Sequence, residues 1–328
     1  MPNPTVTVIG SYPRTPRAGE PFTLRTTLQA MDRGEATWED VARAQDQVVR
    51  DVVAEQAAAG VELVTDGQIR WDDAQTRFAA GLEGVTIGSL ERYFDNNTYF
   101  RQPEIKGPIS RRGPIVVDEF RFARAASPVP VKAVVIGPYT LAALSKRDDG
   151  LEFAALVREL AVALSEEARD LAAAGATVIA FDEPALARPL GLPEPDPAAL
   201  EDAFAALVDG VEATTVLQTY FGDVHPLGET VFEWPFDAFG LDLVAGPGNA
   251  GLLERLPAGK VLQAGVVDGR NTKLEPVEEV ASRLRWVAER VPLDRVWVAP
   301  SCGLEFMGRE PAQRKLESLA RAAREVGE

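Results

Sequence analysis

Few residues in this chain are placed to do chemistry. Asp182-Glu183-Pro184 follows the apolar run TVIAF, so two carboxyl groups stand where a buried strand leaves the core. A carboxylate there can accept hydrogen bonds from a substrate amine, and Pro184 stiffens the turn that holds it. Cys302 closes the run VWVAPS and is flanked by Ser301 and Gly303, which suit a turn. It reads either as a functional thiol or as an inert small hydrophobe. His225, in GDVHP five residues past Tyr220, has the setting of an exposed loop histidine. The basic cluster Lys106, Arg111 and Arg112 could hold a carboxylate tail, or could be a solvated face. Tyr93, Phe94, Tyr99 and Phe100 share its segment. That mixture suits a planar ligand with anionic ends, or equally a small satellite core.

The elements that must carry these residues alternate. Strand candidates run over 5–10, 61–65, 131–136, 177–181, 213–219, 239–244, 260–267 and 295–299, with helical stretches between them. In 276–291, Val277, Val280, Leu284, Val287 and Val291 recur at three- and four-residue spacing and form one apolar stripe. Residues 38–59 and 151–174 read the same way, and Gly60 and Gly175 follow them as stops. Strands that alternate with helices build a parallel sheet, because parallel neighbours need a crossover. Eight such units predict a (β/α)8 TIM barrel over 1–328 as a single domain, with long insertions after strands one (12–36) and two (67–130). An open doubly wound sheet is the runner-up, but no Gly-x-Gly-x-x-Gly follows the first strand. The Pro-rich stretch 188–197 reads as a loop within the barrel.

A barrel gathers the C-terminal ends of its strands at one mouth. That places Ser11, Asp66, Gly137, Asp182, Tyr220, Asp242, Asp268 with Arg270, and Cys302 together. An aspartate in such a place also serves as a helix cap or turn residue, yet four converge. Clustered acids would bind a cation or an ammonium group.

Composition narrows the partners. The 328 residues carry 34 basic and 50 acidic side chains, a net charge of −16 that repels nucleic acid and anionic membrane surfaces. One cysteine rules out an intrachain disulfide, and one histidine rules out paired-histidine metal motifs. The N-terminus has no signal-peptide pattern and no apolar run is long enough to span a membrane, so a cytoplasmic location is expected.

GSYPRT, TDGQIR, IGPYTL, FDEPAL and APSCGL occur in the order found in the cobalamin-independent methionine synthase family. The chain resembles a single-barrel member, although YFDNNTYFRQPE, LQTYFGDV and GVVDGRN look closer to the N-terminal barrel of the two-barrel enzyme. The resemblance implies methyl transfer to homocysteine or a related thiol, from a folate or a methyl-corrinoid, with zinc binding the thiol. It also carries residues over. Asp182 falls on the ammonium-binding aspartate and Ser11 on the serine that approaches the substrate carboxylate. Gln68 stands where the family has an acid, and Arg270 near the position of a histidine. The zinc ligands, a His-x-Cys pair, a Glu and a Cys, fall on Gln218, Tyr220, Asp242 and Cys302. Gln and Tyr are poor zinc donors. A rearranged site of Cys302, Asp242 and His225 would need the loop after Tyr220 to fold over the mouth. These substitutions leave three readings: a methyltransferase with catalytic residues Asp182, Cys302 and Asp268; a non-catalytic folate- or amino-acid-binding barrel that partners another methyltransferase subunit; and a different enzyme that uses the acidic mouth without zinc.

Overall fold

A computed structural model describes residues 3–21, 23–94, 96, 98–147, 151–187 and 192–328; the first part of the Pro-rich 188–197 stretch lies outside them. Seven parallel strands form one curled sheet in the order β1-β9-β8-β7-β6-β5-β4. These are β1 (Thr5–Val6), β4 (Ala133–Ile136), β5 (Val178–Asp182), β6 (Thr214–Gln218), β7 (Ala238–Asp242), β8 (Val261–Val267) and β9 (Val296–Pro300). The expected second strand, 61–65, appears only as bridges Thr7↔Leu63 and Val64↔Val131, which join the sheet's two edges. Its ladder is broken in part because the Glu62 carboxylate, not a carbonyl, accepts the Val6 N–H at 2.9 Å. The TIM-barrel expectation holds.

The three periodic stretches are helices close to their expected bounds. They are α2 (Trp38–Ala58), α6 (Phe153–Ala173) and α9 (Val277–Ala288). Thr37 and Asp40 form a reciprocal capping box that starts α2. The buried face of α9 is Val280, Ala281, Leu284 and Val287, the stripe seen in the sequence. Strand alternation sorts the inner residues. Val178, Ala180, Val216 and Ala238 point inward and pack with Leu63 as an apolar floor. Leu217, Phe181 and Phe239 point outward and join the helices.

The first insertion contributes α1 (Thr23–Asp32), which packs on α2. The second holds a feature that the sequence pattern did not reveal. After α3 (Ala74–Ala79), an antiparallel hairpin of β2 (Leu82–Arg92) and β3 (Tyr99–Arg111) projects before α4 (Val117–Ala126). Most of β2 is exposed on both faces, so it carries no alternation to read. The hairpin turn brings Tyr93 and Phe94 to the barrel mouth, where both rings meet Phe221.

Candidate active site

Above the apolar floor lies a buried polar layer. Lys132, Gln218 and Gln263 all point inward and are at most 1% exposed. Lys132 Nζ donates to Gln263 Oε1 at 2.9 Å and Gln218 Oε1 at 3.3 Å, and Gln263 Nε2 donates to Gln218 Oε1 at 2.8 Å. Gly240 makes room for this contact, since a Cβ there would stand 3.1 Å from Gln263 Nε2 and 3.2 Å from Gln218 Cα. With its oxygen taken, Gln218 must present its NH2 upward, and it donates to Asp182 Oδ1. The second Asp182 oxygen accepts from Tyr220 Oη at 3.2 Å. Burial raises the Asp182 carboxyl to about 7 despite these donors. Burial likewise lowers Lys132 to about 7, with Asp182 opposing the shift.

Asp182 faces a pocket of about 380 Å³ at the strand ends, walled by Ser11, Arg14, Gln68, Gln75, Tyr93, Phe100, Tyr220, Phe221 and Glu305 among others. Glu305 opens onto this pocket and accepts the Ser11 hydroxyl; protein on its other sides desolvates it and raises its pKa. Phe221 holds a left-handed backbone with φ 74°, a conformation that costs a non-glycine residue about 1 kcal/mol or more. Its N–H is fixed by Asp242 Oδ2 at 3.0 Å. Gln68 is also left-handed, at φ 54°, its N–H taken by Asp66 Oδ1 at 2.9 Å.

The expected site residues divide. Ser11, Gln68, Asp182 and Tyr220 line this pocket together. Glu183 alternates to the other side of the strand and anchors the start of α5 (Pro138–Leu144), accepting Tyr139 N–H at 2.9 Å and Thr140 N–H at 2.7 Å. Asp268 accepts the Arg270 N–H at 2.8 Å in a surface turn, and Arg270 lies over the Phe221 ring, 5.4 Å from its centroid. The basic cluster is elsewhere. Lys106 pairs with Glu104 and Arg112 with Glu83, while Arg111 reaches Glu167 and Asp170 on α6. None of the three lines the pocket. Arg14, Gln75, Lys132, Gln263 and Glu305 escaped the sequence reading. A lysine at the head of the apolar strand 131–136 was the available signal for one of them.

The implied zinc finds no fitting donor set. Gln218 and Tyr220 are committed to Asp182. Asp242 is consumed by three backbone N–H groups, those of Phe221, Val244 and Ala245, at 2.8–3.0 Å. Cys302 is 1% exposed, its Sγ faces Gly303 O at 3.4 Å, and burial holds its pKa well above the ordinary value, opposing the thiolate that a metal needs. His225 is exposed at the start of a 3-10 turn, against Gly251. Among the described residues no three His, Cys, Asp or Glu groups converge into a metal cluster.

The model of the cobalamin-independent synthase catalytic domain matches residues 3–325. The chain belongs to that family. A protein named methionine synthase from Saccharolobus solfataricus is 33% identical over 330 residues, covering 100% of this chain and 96% of its own length. A 5-methyltetrahydropteroyltriglutamate–homocysteine methyltransferase of Streptomyces griseus is 33% identical over 341 residues, covering 99% of this chain but 42% of its own length. Among solved structures, a B12-independent methionine synthase from Shewanella in complex with selenomethionine superposes with a TM-score of 0.81 at 23% identity, covering 99% of this chain and 98% of that one. A putative B12-independent methionine synthase from Listeria monocytogenes gives 0.76 at 18% identity, covering 99% of each chain. These neighbours establish the fold, and the family marks the chain as a methionine synthase-like methyltransferase. No helix among the described residues is long and apolar enough to cross a membrane.

Proposed function

We propose that this protein transfers a methyl group to the sulfur of homocysteine or a related thiol, bound by its ammonium group at Asp182. The observation that carries this reading is the Asp182 carboxylate itself. It is held toward the pocket by Gln218 and Tyr220, and no basic side chain pairs with it among the described residues. A ligand ammonium would supply the missing partner and draw Asp182 into its charged form. In the transfer, a sulfur lone pair forms the S–CH3 bond, the donor's bond to that methyl breaks with its electron pair left on the donor (a folate nitrogen, which then takes up a proton, or the corrinoid cobalt), and the thiol proton leaves to a base. Glu305, in the same pocket with a raised pKa, is placed to take that proton. Methyl-folate is the donor that the relatives favour, with a methyl-corrinoid as the alternative.

A second reading is favoured by the occupied ligand positions Gln218 and Tyr220. In it the barrel binds the amino thiol or a folate for a partner methyltransferase subunit and does no chemistry alone. Incubating the purified protein with thiol and methyl-folate or methyl-corrinoid separates the two. Methylated thiol from the single chain supports the first. Ligand binding by calorimetry without turnover supports the second.

A further inference from the structure

The pocket's charges are lopsided in a way that bears on the ligand. Four carboxyl side chains line it, Asp72, Asp73, Asp182 and Glu305, against one basic side chain, Arg14. Arg14 already donates to the main-chain carbonyls of Gln68, at 3.1 Å, and Trp71. Asp73 is spent on capping α3 through Thr76. Asp182 and Glu305 appear in no ion pair among the described residues. The hydroxyl of Ser11, which the family resemblance would assign to a ligand's carboxylate, donates to Glu305. The chain's own carboxylate therefore stands where a ligand's would accept. Gln75 supplies a separate indication of a ligand. It is 1% exposed, it lines the pocket beside Tyr93, and its Nε2 reaches only the Tyr93 hydroxyl, outside ordinary hydrogen-bond geometry. A buried amide donor met so poorly is costly, and an acceptor atom in the pocket, such as a thiol sulfur, would satisfy it better. Tyr93, Phe100, Tyr220 and Phe221 provide aromatic walls for a short alkyl chain that carries a cation.

We propose that the pocket selects a cationic aminoalkyl thiol without a carboxylate over an amino acid, and that Glu305 sets this preference. The inference rests on the thiol reading above and narrows its substrate class. An α-carboxylate entering beside Glu305 meets a like charge at the pocket's open side, whereas the same molecule without it meets two acids that have no ion-pair partner with its one positive charge.

3-Aminopropanethiol and L-homocysteine differ only by that carboxylate, so they form a matched pair of probes. Calorimetric titration of each into the reduced protein at pH 8 should show the amine binding about tenfold more tightly. In Glu305→Gln the two affinities should come within about twofold of each other, while Ser11→Ala, which keeps the charge, should preserve the preference. If Glu305→Gln does not fold, Glu305→Ala takes its place, and the parent ratio stands on its own. Equal or tighter binding of homocysteine by the parent overturns the proposal, as does a preference unchanged in Glu305→Gln. If neither thiol binds the parent, the thiol reading itself fails and the narrower claim goes with it. That result is distinct from homocysteine winning.

Discussion

Replacing Asp182 with asparagine should separate binding from stability in opposite directions. Asn is nearly isosteric and can keep both network contacts, accepting from Gln218 Nε2 with its oxygen and donating to Tyr220 Oη with its nitrogen. What it removes is a charge. The Asp182 carboxyl sits at about 7 against an unfolded value of 3.8, because burial disfavours ionisation. A carboxyl raised in this way favours folding fully below about pH 4, and the contribution is lost as pH rises through about 7. Three units at about 1.36 kcal/mol each set a ceiling of roughly 4 kcal/mol on the destabilisation that the ionised form brings. Without ligand, Asp182→Asn should therefore melt above the parent at pH 8, and the gap should close toward pH 4. Affinity should move the other way. Losing a charge-assisted hydrogen bond costs about 1.5–3 kcal/mol, or roughly 10- to 150-fold in Kd. Parent affinity for an ammonium ligand should also rise with pH through about 7, and the variant's should not. Thermal melts and calorimetry between pH 4 and 8.5 test both arms. A variant less stable than the parent at pH 8, or one that binds every amino thiol as tightly as the parent, would rule out this role for the Asp182 charge.

The other expectations concern neighbours of that carboxylate. Tyr220→Phe removes the donor to Asp182 Oδ2 and should shift the pH midpoint of ligand binding upward, read from the same titrations; an unchanged midpoint would remove Tyr220 from the account. Arg111→Ala should cost about 1.5–3 kcal/mol in denaturant unfolding, because it removes the cation paired with the fully buried Glu167 and leaves that carboxylate only the Ile115 and Val116 N–H groups, while leaving ligand affinity unaltered. Weakened binding with normal stability would return Arg111 to the ligand. Purified protein should hold substoichiometric zinc by elemental analysis, and Cys302→Ala should barely change that content; tightly bound zinc near one per chain, lost in the variant, would restore a metal-activated thiol.

The parts of this molecule that were legible in its sequence are those written in local periodicity. The α9 stripe and the short β-branched runs announced a barrel because each buries one face against its neighbours. Asp182 stood out because an acid directly after TVIAF contradicts the run before it. The hairpin was hidden because β2 is wet on both faces and leaves no alternation. The basic cluster misled because its partners lie far along the chain: Arg111 meets Glu167, 56 positions away. A charge run cannot declare its distant acids. Gln218 looked like a lost metal ligand, and only the inward meeting of Lys132, just ahead of β4, with β6 and β8 shows it as a spacer between Lys132 and Asp182. Glu305 went unread for a similar reason, since its role comes from Ser11, 294 positions earlier.

On the proposed reading, Asp182 holds a thiol for methylation at the barrel mouth without a metal. Mass-spectrometric detection of the S-methylated thiol tests it most directly, using purified protein, methyl-folate or methyl-corrinoid, and excess chelator. Product should accumulate at a rate indifferent to chelator, and that rate should fall sharply in Asp182→Asn. Product that appears only when zinc is restored, or that forms equally well in Asp182→Asn, would contradict it.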